Sequence, residues 1–583
     1  SKMFFYENSD FILQSFYNVT IFFRKILLPL LLIYILFMPF FSRFALIKKI
    51  FFGYVFKVKD IVFIWSLMIF NVVFVVNIIF KNMWGRVRPN DVVGFGGSDH
   101  FTPWYQLSNQ CNVNCSFVSG DAAVGFSLII FYFLTKKEIY IWLSLLFGFA
   151  LGAIRIMEGG HFLSDIVFAC IFVFAFTYLL CSHYKSKIWS RENYYIVLGC
   201  VILALLKIIA VASTDFNLYG DEAQYWLWSK DLSFGYFSKP PLLPWLISFV
   251  TYFFGNSFFI LKTIPILLYI FSSFLIYILS TKLFKNRLLS FFCAMAFFLM
   301  PAVSVSSFLL STDVVLILLW IASLIQVLNI KNNPHYLNFL TLGILLGLAF
   351  LAKYAAIYFI LSLVFLLIIE KNYRLAFLKS KLKLTLFIIT LVIILIPNIL
   401  WNIKNNWLTI THTLDNASLD KININAFGLV EFILSQIIMI GPFLFLGVFY
   451  ILYKKIKILE NEKFLICFSL PALLIVSIES FLVRAHANWA AVSLVTLMIL
   501  FISIIYKFNK KIIHLNNYFN ILIGFLLYVM IGSSYSLGAF DRISGMKEFV
   551  GHIEINKKPS IKNIVISDRL LFASLNFELY QKK

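Results

Sequence analysis

Three short segments carry residues that can handle a phosphate ester. KNMWGRVRP supplies Lys81, Arg88 and Pro89; SFVSGDAA supplies Ser119, Gly120 and Asp121 ahead of an apolar run; RIMEGGHFLSD supplies Arg155, His161 and Asp165. Cations neutralise the outer phosphoryl oxygens, and a glycine-opened backbone at a helix start presents N–H groups to an anion. An imidazole one helical turn from a carboxylate is an oriented nucleophile for in-line attack. Further on, the adjacent acids Asp221 and Glu222 precede an aromatic run containing Tyr225 and Tyr236, and then Lys239, Pro240 and Pro241. Carboxylates accept protons from sugar hydroxyls, and aromatic faces stack on sugar C–H faces. Each piece alone has a plainer reading: an interfacial arginine, a solvated histidine, an aromatic belt at a membrane surface.

The elements that must position these residues are membrane helices. Of 583 residues, 61% are hydrophobic and 13% charged, against roughly 45–50% and about 25% in a soluble domain; the mean hydropathy is +0.90. A formal charge of +22 falls in short clusters between apolar runs, which fits cytoplasmic loops and argues against nucleic-acid binding. Apolar runs at 28–46, 61–80, 122–134, 139–155 and 163–181 form a first group. A second group lies at 195–212, 256–280, 287–303, 313–330, 336–352, 354–370, 381–400, 428–452, 464–482, 490–507 and 517–535. Residues 9–24 are a further span or an interfacial helix, so sixteen or seventeen spans are expected. No cleavable signal pattern precedes them, so the chain's own helices are expected to direct insertion.

Lys and Arg clusters at Lys48–Lys49, Lys136–Lys137, Lys185–Arg191, Lys282–Arg287, Lys371–Lys383, Lys454–Lys463 and Lys507–Lys511 occupy alternate loops, which are expected to be cytoplasmic. The remaining loops, 81–121, 156–162, 213–255, 304–312, 401–427, 483–489 and the tail from 540, then face outward and hold every motif above. Cys111 and Cys115 lie in such a loop and can pair as a disulfide; the other five of the seven cysteines read as packing residues. The expected organisation is a membrane domain over 1–183, a cytoplasmic linker over 184–194, a second membrane domain over 195–539 and an outward tail over 540–583.

The three phosphate segments, in order and on one side, resemble the type 2 phosphatidic acid phosphatase family over roughly 28–181. The resemblance implies Lys81, Arg88 and Arg155 on the phosphate, Ser119 and Gly120 on its oxygens, His161 as nucleophile, Asp165 as its partner and no metal. Asp121 stands where the family has a histidine that protonates the leaving group, and Ile154 replaces the usual Ser. An Asp, with an ordinary pKa of about 3.9 against about 6.5 for His, is ionised near neutrality. Two readings stand: a working phosphatase, or a lipid-phosphate-binding module that has lost turnover.

The chain from 195 on resembles GT-C fold glycosyltransferases of the protein O-mannosyltransferase and aminoarabinose transferase superfamily. LLSTDVVLILLW with Asp313, GLAFLAKYAAIY with Lys353 and Tyr354, PNILWNIKNNW with Asn402 and Trp407, and RAHANWAA with Arg484, His486, Asn488 and Trp489 extend the match. The resemblance implies Asp221 as the key carboxylate, Lys239 on the donor phosphate and Asp313 near sugar or acceptor. Glu222, Tyr225, Tyr236, Tyr354, Asn402, Arg484, His486 and Asn488 are expected around the sugar and acceptor. Lys262 and Lys353 are further phosphate candidates, because intramembrane cations line cavities or pair with anions. Ser238 and Gln224 replace an acid and an arginine found in related transferases, which leaves a divalent metal in this module an open question.

The fold class expected is an all-α polytopic membrane protein, a phosphatase-like bundle followed by a GT-C bundle. The function expected is transfer of a sugar, an amino sugar among the options, from undecaprenyl phosphate to a periplasm-facing acceptor, with lipid A favoured, in a bacterial inner membrane. The alternatives are a protein or polysaccharide glycosyltransferase with a degenerate phosphatase-like half, and a lipid transporter or flippase.

Overall fold

Apolar chain in a bilayer can satisfy its backbone only internally, so helices are expected throughout. The computed structural model describes residues 21–45, 51–81, 84–104, 115–181, 191–417, 424–452, 459–534, 538–556 and 565–582, with positions 18, 108, 110 and 111. Most of segment 9–24 and of linker 184–194 lies outside them. Among the described residues the regular structure is helical, with one isolated bridge between Val92 and Asp99. The chain divides into two compact units, 1–194 and 195–583.

The first unit contains α1 (Leu28–Phe41), α2 (Val58–Met68, continuing as a π-helix over Ile69–Phe80), α3 (Gly120–Phe126), α4 (Ile129–Thr135), α5 (Ile139–Met157) and α6 (Leu163–Cys181). The helix α3 packs on α5 and α6, over a core that includes Val76, Phe117, Phe126 and Ile166. Ser119 starts α3 by accepting a hydrogen bond from the Ala122 N–H, 3.5 Å, the usual task of a serine at this position. Cys111 and Cys115 are joined, with Cα atoms 5.7 Å apart, in the loop before α3.

The second unit runs α7 (Arg191–Ser213), α8 (Gly220–Trp228), α9 (Leu242–Phe254), α10 (Phe258–Phe284), α11 (Arg287–Leu299), α12 (Pro301–Ser306), α13 (Thr312–Asn332), α14 (Tyr336–Ala352), α15 (Ile357–Ile369), α16 (Lys371–Leu378), α17 (Lys381–Lys404), α18 (Leu408–Ala417), α19 (Ala426–Ile440), α20 (Pro442–Leu452), α21 (Glu460–Leu482), α22 (Ala491–Phe508), α23 (Lys510–Gly532), α24 (Met546–Asn556) and α25 (Arg569–Gln581). The α14 helix sits between α13 and α17, α10 packs on α11 and α13, and the C-terminal α25 packs along α8. One continuous core includes Trp320, Phe359, Phe468 and Met498.

Among the described residues, eight helices are long and apolar enough to cross a membrane, or ten if each of two bent pairs counts as one; seven further apolar helices have 10–17 residues. The expected sixteen or seventeen full spans are therefore not all continuous helices. Residues 428–452 read as one span but turn through 105° between α19 and α20, where Gly441 adopts φ +118° and Pro442 cannot continue the preceding ladder. Likewise Tyr354–Ile369 turns by 111° into α16. Hydropathy reports composition and is blind to these breaks. The expected outer loop 213–255 is itself built of α8 and α9.

Candidate functional site

In the first unit His161 is buried, and its Nδ1 lies 2.6 Å from the Ser116 carbonyl oxygen. A carbonyl only accepts, so Nδ1 carries the proton and Nε2 keeps the lone pair needed for attack. Asp165 stands 3.6 Å from the same nitrogen, a longer approach than the direct partnership expected from the spacing. Its carboxylate is held by Arg86 (2.5 Å), the Ser116 hydroxyl (2.5 Å) and the Phe162 N–H (2.9 Å). Arg86 in turn lies 4.2 Å over the Phe162 ring. Burial is the largest influence on the His161 imidazolium; with Lys81 and Arg155 nearby it pushes the pKa below the usual histidine value, against the pull of Asp165.

A cavity of about 270 Å³ beside α3 is lined by Asn77, Lys81, Arg88, Gly120 and Asp121. It brings together cations from the first motif and the helix start from the second. Ser119 is fully buried, and its hydroxyl caps α3. Arg155 Nε lies 3.1 Å from Asp121, and its guanidinium also pairs with Glu158. Gly160 leaves room for that guanidinium: a Cβ there would lie 2.5 Å from it. Asp121 is thus an ion-paired carboxylate at the position where the resemblance has a proton-donating histidine.

In the second unit the adjacent acids part company. Asp221, in the first turn of α8, remains partly exposed. Glu222 is buried, accepting from Lys262 at 2.9 and 2.6 Å, the Leu310 N–H at 2.6 Å and the Tyr219 N–H at 2.8 Å. Lys262 also donates to the Phe308 carbonyl, 3.0 Å. These two residues bind each other, a correction to the expectation that Glu222 meets sugar and Lys262 meets phosphate. Tyr236 is likewise committed: its hydroxyl donates to the Trp228 and Asp231 carbonyls, both 3.1 Å, and its ring stacks on Trp228 at 4.8 Å. It shapes the loop rather than offering a free hydroxyl.

Lys353 lies in an extended break between α14 and the turn that starts at Tyr354, and its ammonium pairs with Asp313 at 2.7 Å. Asn488 donates to the other Asp313 oxygen, 3.1 Å. Tyr354 donates to Asn398 (3.0 Å) and accepts from Asn402 (3.2 Å); Asn398 donates to the Phe234 carbonyl (2.6 Å) of the Lys239 loop. Arg484 and His486 are exposed on the segment before Asn488. Burial chiefly pushes the Lys239 ammonium down, with Lys353 and Arg569 adding repulsion and Asp221 and Asp313 opposing it. The Tyr225 hydroxyl is raised by burial, then by Asp221 and Asp313. Asp221, Tyr225, Lys239, Asp313 and Lys353 thus form one electrostatic cluster. Among the described residues no three His, Cys, Asp or Glu side chains converge as metal ligands; Asp313 and Glu222 face lysines instead, a donor set that does not fit a divalent metal.

Comparison with known proteins matches residues 61–211 to the PAP2 superfamily and residues 238–401 to the dolichyl-phosphate-mannose-protein mannosyltransferase family. The chain joins a PAP2 domain to a glycosyltransferase domain of that family. This membrane enzyme is 26% identical to the lipid A galacturonosyltransferase RgtD of Rhizobium johnstonii, over 63% of this chain and 77% of that protein. It is 44% identical to the lipid A 4'-phosphatase of Francisella tularensis subsp. novicida, over 18% of this chain and 50% of that protein. It is 31% identical to the undecaprenyl phosphate-alpha-4-amino-4-deoxy-L-arabinose arabinosyl transferase of Wigglesworthia glossinidia brevipalpis, over 21% of this chain and 22% of that protein. The chain therefore spans half or less of the latter two. No solved structure matches it significantly.

Residue types alone missed Asn77, Arg86, Ser116 and Arg569. Arg86 sits inside the first motif and was legible as a third cation there. Ser116 acts on His161 through its carbonyl, which no side-chain pattern reveals.

Proposed function

We propose that the glycosyltransferase domain moves a sugar from a polyprenyl-phosphate donor to lipid A on the periplasmic side of a bacterial inner membrane, and that the PAP2 domain binds a phosphate monoester of the same lipid. The observation that supports this reading is the charge pattern of one region: Asp221, Asp313 and Lys353 all act electrostatically on Lys239, and Asp313 pairs with Lys353, so a carboxylate for the acceptor and a lysine for the donor phosphate belong to the same neighbourhood. Two relatives, one named as a glycosyltransferase and one as a phosphatase, are both named for lipid A. The acceptor oxygen attacks the anomeric carbon, the bond from that carbon to the phosphate oxygen breaks, and polyprenyl phosphate leaves with the electron pair beside Lys239. With a hydroxyl acceptor the proton passes to Asp221; with a phosphate acceptor the oxygen is already anionic, and Asp221 positions it.

In the PAP2 domain, Nε2 of His161 attacks phosphorus and the lipid oxygen departs. That oxygen needs a proton, and Asp121, ion-paired with Arg155, is poorly placed to give one. The domain therefore holds its phosphate ester and turns over slowly.

Mass spectrometry of lipid A from a host with the gene, without it and with Asp221→Asn tests the reading. A mass increment of one sugar residue that requires both the gene and Asp221 supports it. Unchanged lipid A together with an altered glycoprotein moves the acceptor to protein.

A further inference from the structure

The cluster around Lys239 contains a cation that no motif announced. Arg569 opens α25, directly after Asp568, whose carboxylate accepts from the Leu570 and Leu571 N–H groups at 2.9 and 2.7 Å. The helix is anchored on the Asp221 helix: Phe577 and Tyr580 lie 5.0 and 5.3 Å from the Trp226 ring, and Gln581 donates to the Asn256 carbonyl, 2.7 Å. A Cβ on Gly220 would sit 3.0 Å from Leu570, so the start of α25 abuts the residue that precedes Asp221.

The Arg569 guanidinium lies 4.8 Å over the Phe237 ring, and that ring is 4.8 Å from His412. Phe237 is two residues before Lys239, in a loop closed by the Tyr236 N–H donating to the Lys239 carbonyl, 3.2 Å. Lys353 and Arg569 thus act on Lys239 together with Asp221 and Asp313, and the Arg569 charge depresses both the Lys239 and His412 pKa values. Exposed and fork-shaped, Arg569 can present two N–H groups to a phosphate while Lys239 contributes a point charge.

We infer that Arg569 binds the phosphate of the polyprenyl-phosphate donor, which makes the C-terminal helix part of the donor site. The inference rests on the transferase reading above. As the anomeric bond breaks, the leaving phosphate gains charge, and a guanidinium already in place stabilises it without reorganisation.

Full-length protein in nanodiscs, titrated with undecaprenyl phosphate and with undecaprenol, tests this. Arg569→Gln should weaken undecaprenyl phosphate binding about tenfold or more while leaving undecaprenol binding unchanged, and Arg569→Lys should recover part of the loss. If Arg569→Gln binds the phosphate like the wild type while Lys239→Gln does not, Arg569 is no ligand and the donor reading stands. If Arg569→Gln loses both lipids equally, its role is structural and the inference falls. If the wild-type protein does not distinguish the phosphate from the alcohol, the donor reading itself falls.

Discussion

Lys262 donates to both carboxylate oxygens of Glu222, and neither side chain is open to solvent. This pair ties the start of α8 to α10 and, through the Leu310 N–H and Phe308 carbonyl, to the segment before α13. Asp221, one residue earlier on the same helix, stays partly exposed, while the pair anchors the turn that carries it.

Removing one partner leaves a buried, uncompensated charge, which costs about 3–5 kcal/mol. Lys262→Met should therefore lower the unfolding temperature of the purified protein sharply. Adding Glu222→Gln to it should restore part of the loss, since the second change removes the stranded charge. Additive losses in thermal unfolding would mean that the two residues do not act as a pair.

Asp221→Asn removes a charge without changing shape at a partly exposed position. It should leave thermal unfolding unchanged and reduce sugar transfer at least about a hundredfold, as expected when a general base or charged positioning group is lost. Transfer by the variant at wild-type rate would remove Asp221 from the site.

Much of this arrangement was legible in the sequence because its chemistry sits at helix ends, where polar residues interrupt apolar runs. Lys81, Arg88, Gly120 and Asp121 line one cavity, and Asp221, Lys239, Asp313 and Lys353 form one cluster. Adjacency misled for Glu222, since neighbouring residues on a helix face different ways: one acid of the pair opens to the site and the other turns into the core. Arg569 was hidden for a different reason. Its role depends on α25 folding back onto α8, a tertiary contact that no local pattern encodes. The break at Gly441–Pro442 shows the same limit at the level of spans: both residues are visible, but their effect on an apolar run is a matter of backbone geometry.

The Asp121–Arg155 ion pair predicts the effect of restoring an imidazole. Asp121→His should release the Nε edge of Arg155, whose guanidinium keeps its Glu158 partner, and supply a proton donor, so phosphate release from lipid A by the purified protein should rise. General acids contribute about 10²–10⁴-fold, and an increase toward the lower end of that range is expected. No increase, with phosphate binding intact, would show that leaving-group protonation does not limit the reaction.

The buried His161 predicts a pH signature whose sign follows from its surroundings. Burial and the nearby cations hold its pKa below the ordinary value, so the imidazole stays neutral, and nucleophilic at Nε2, as the pH falls through about 6.5. In the unfolded chain the same residue takes up a proton near that pH. Below it the unfolded state binds more protons than the native state, so stability falls with pH until the folded pKa is reached. Thermal unfolding followed from pH 8 to pH 5 should show this loss in the wild type and a smaller one in His161→Gln, which has no proton to gain. In the Asp121→His background, the acid limb of kcat/KM for phosphate release reports groups in the free enzyme and should place the His161 titration below about 6.5. A His161 titration above that value would mean that Asp165 outweighs burial and stabilises the imidazolium.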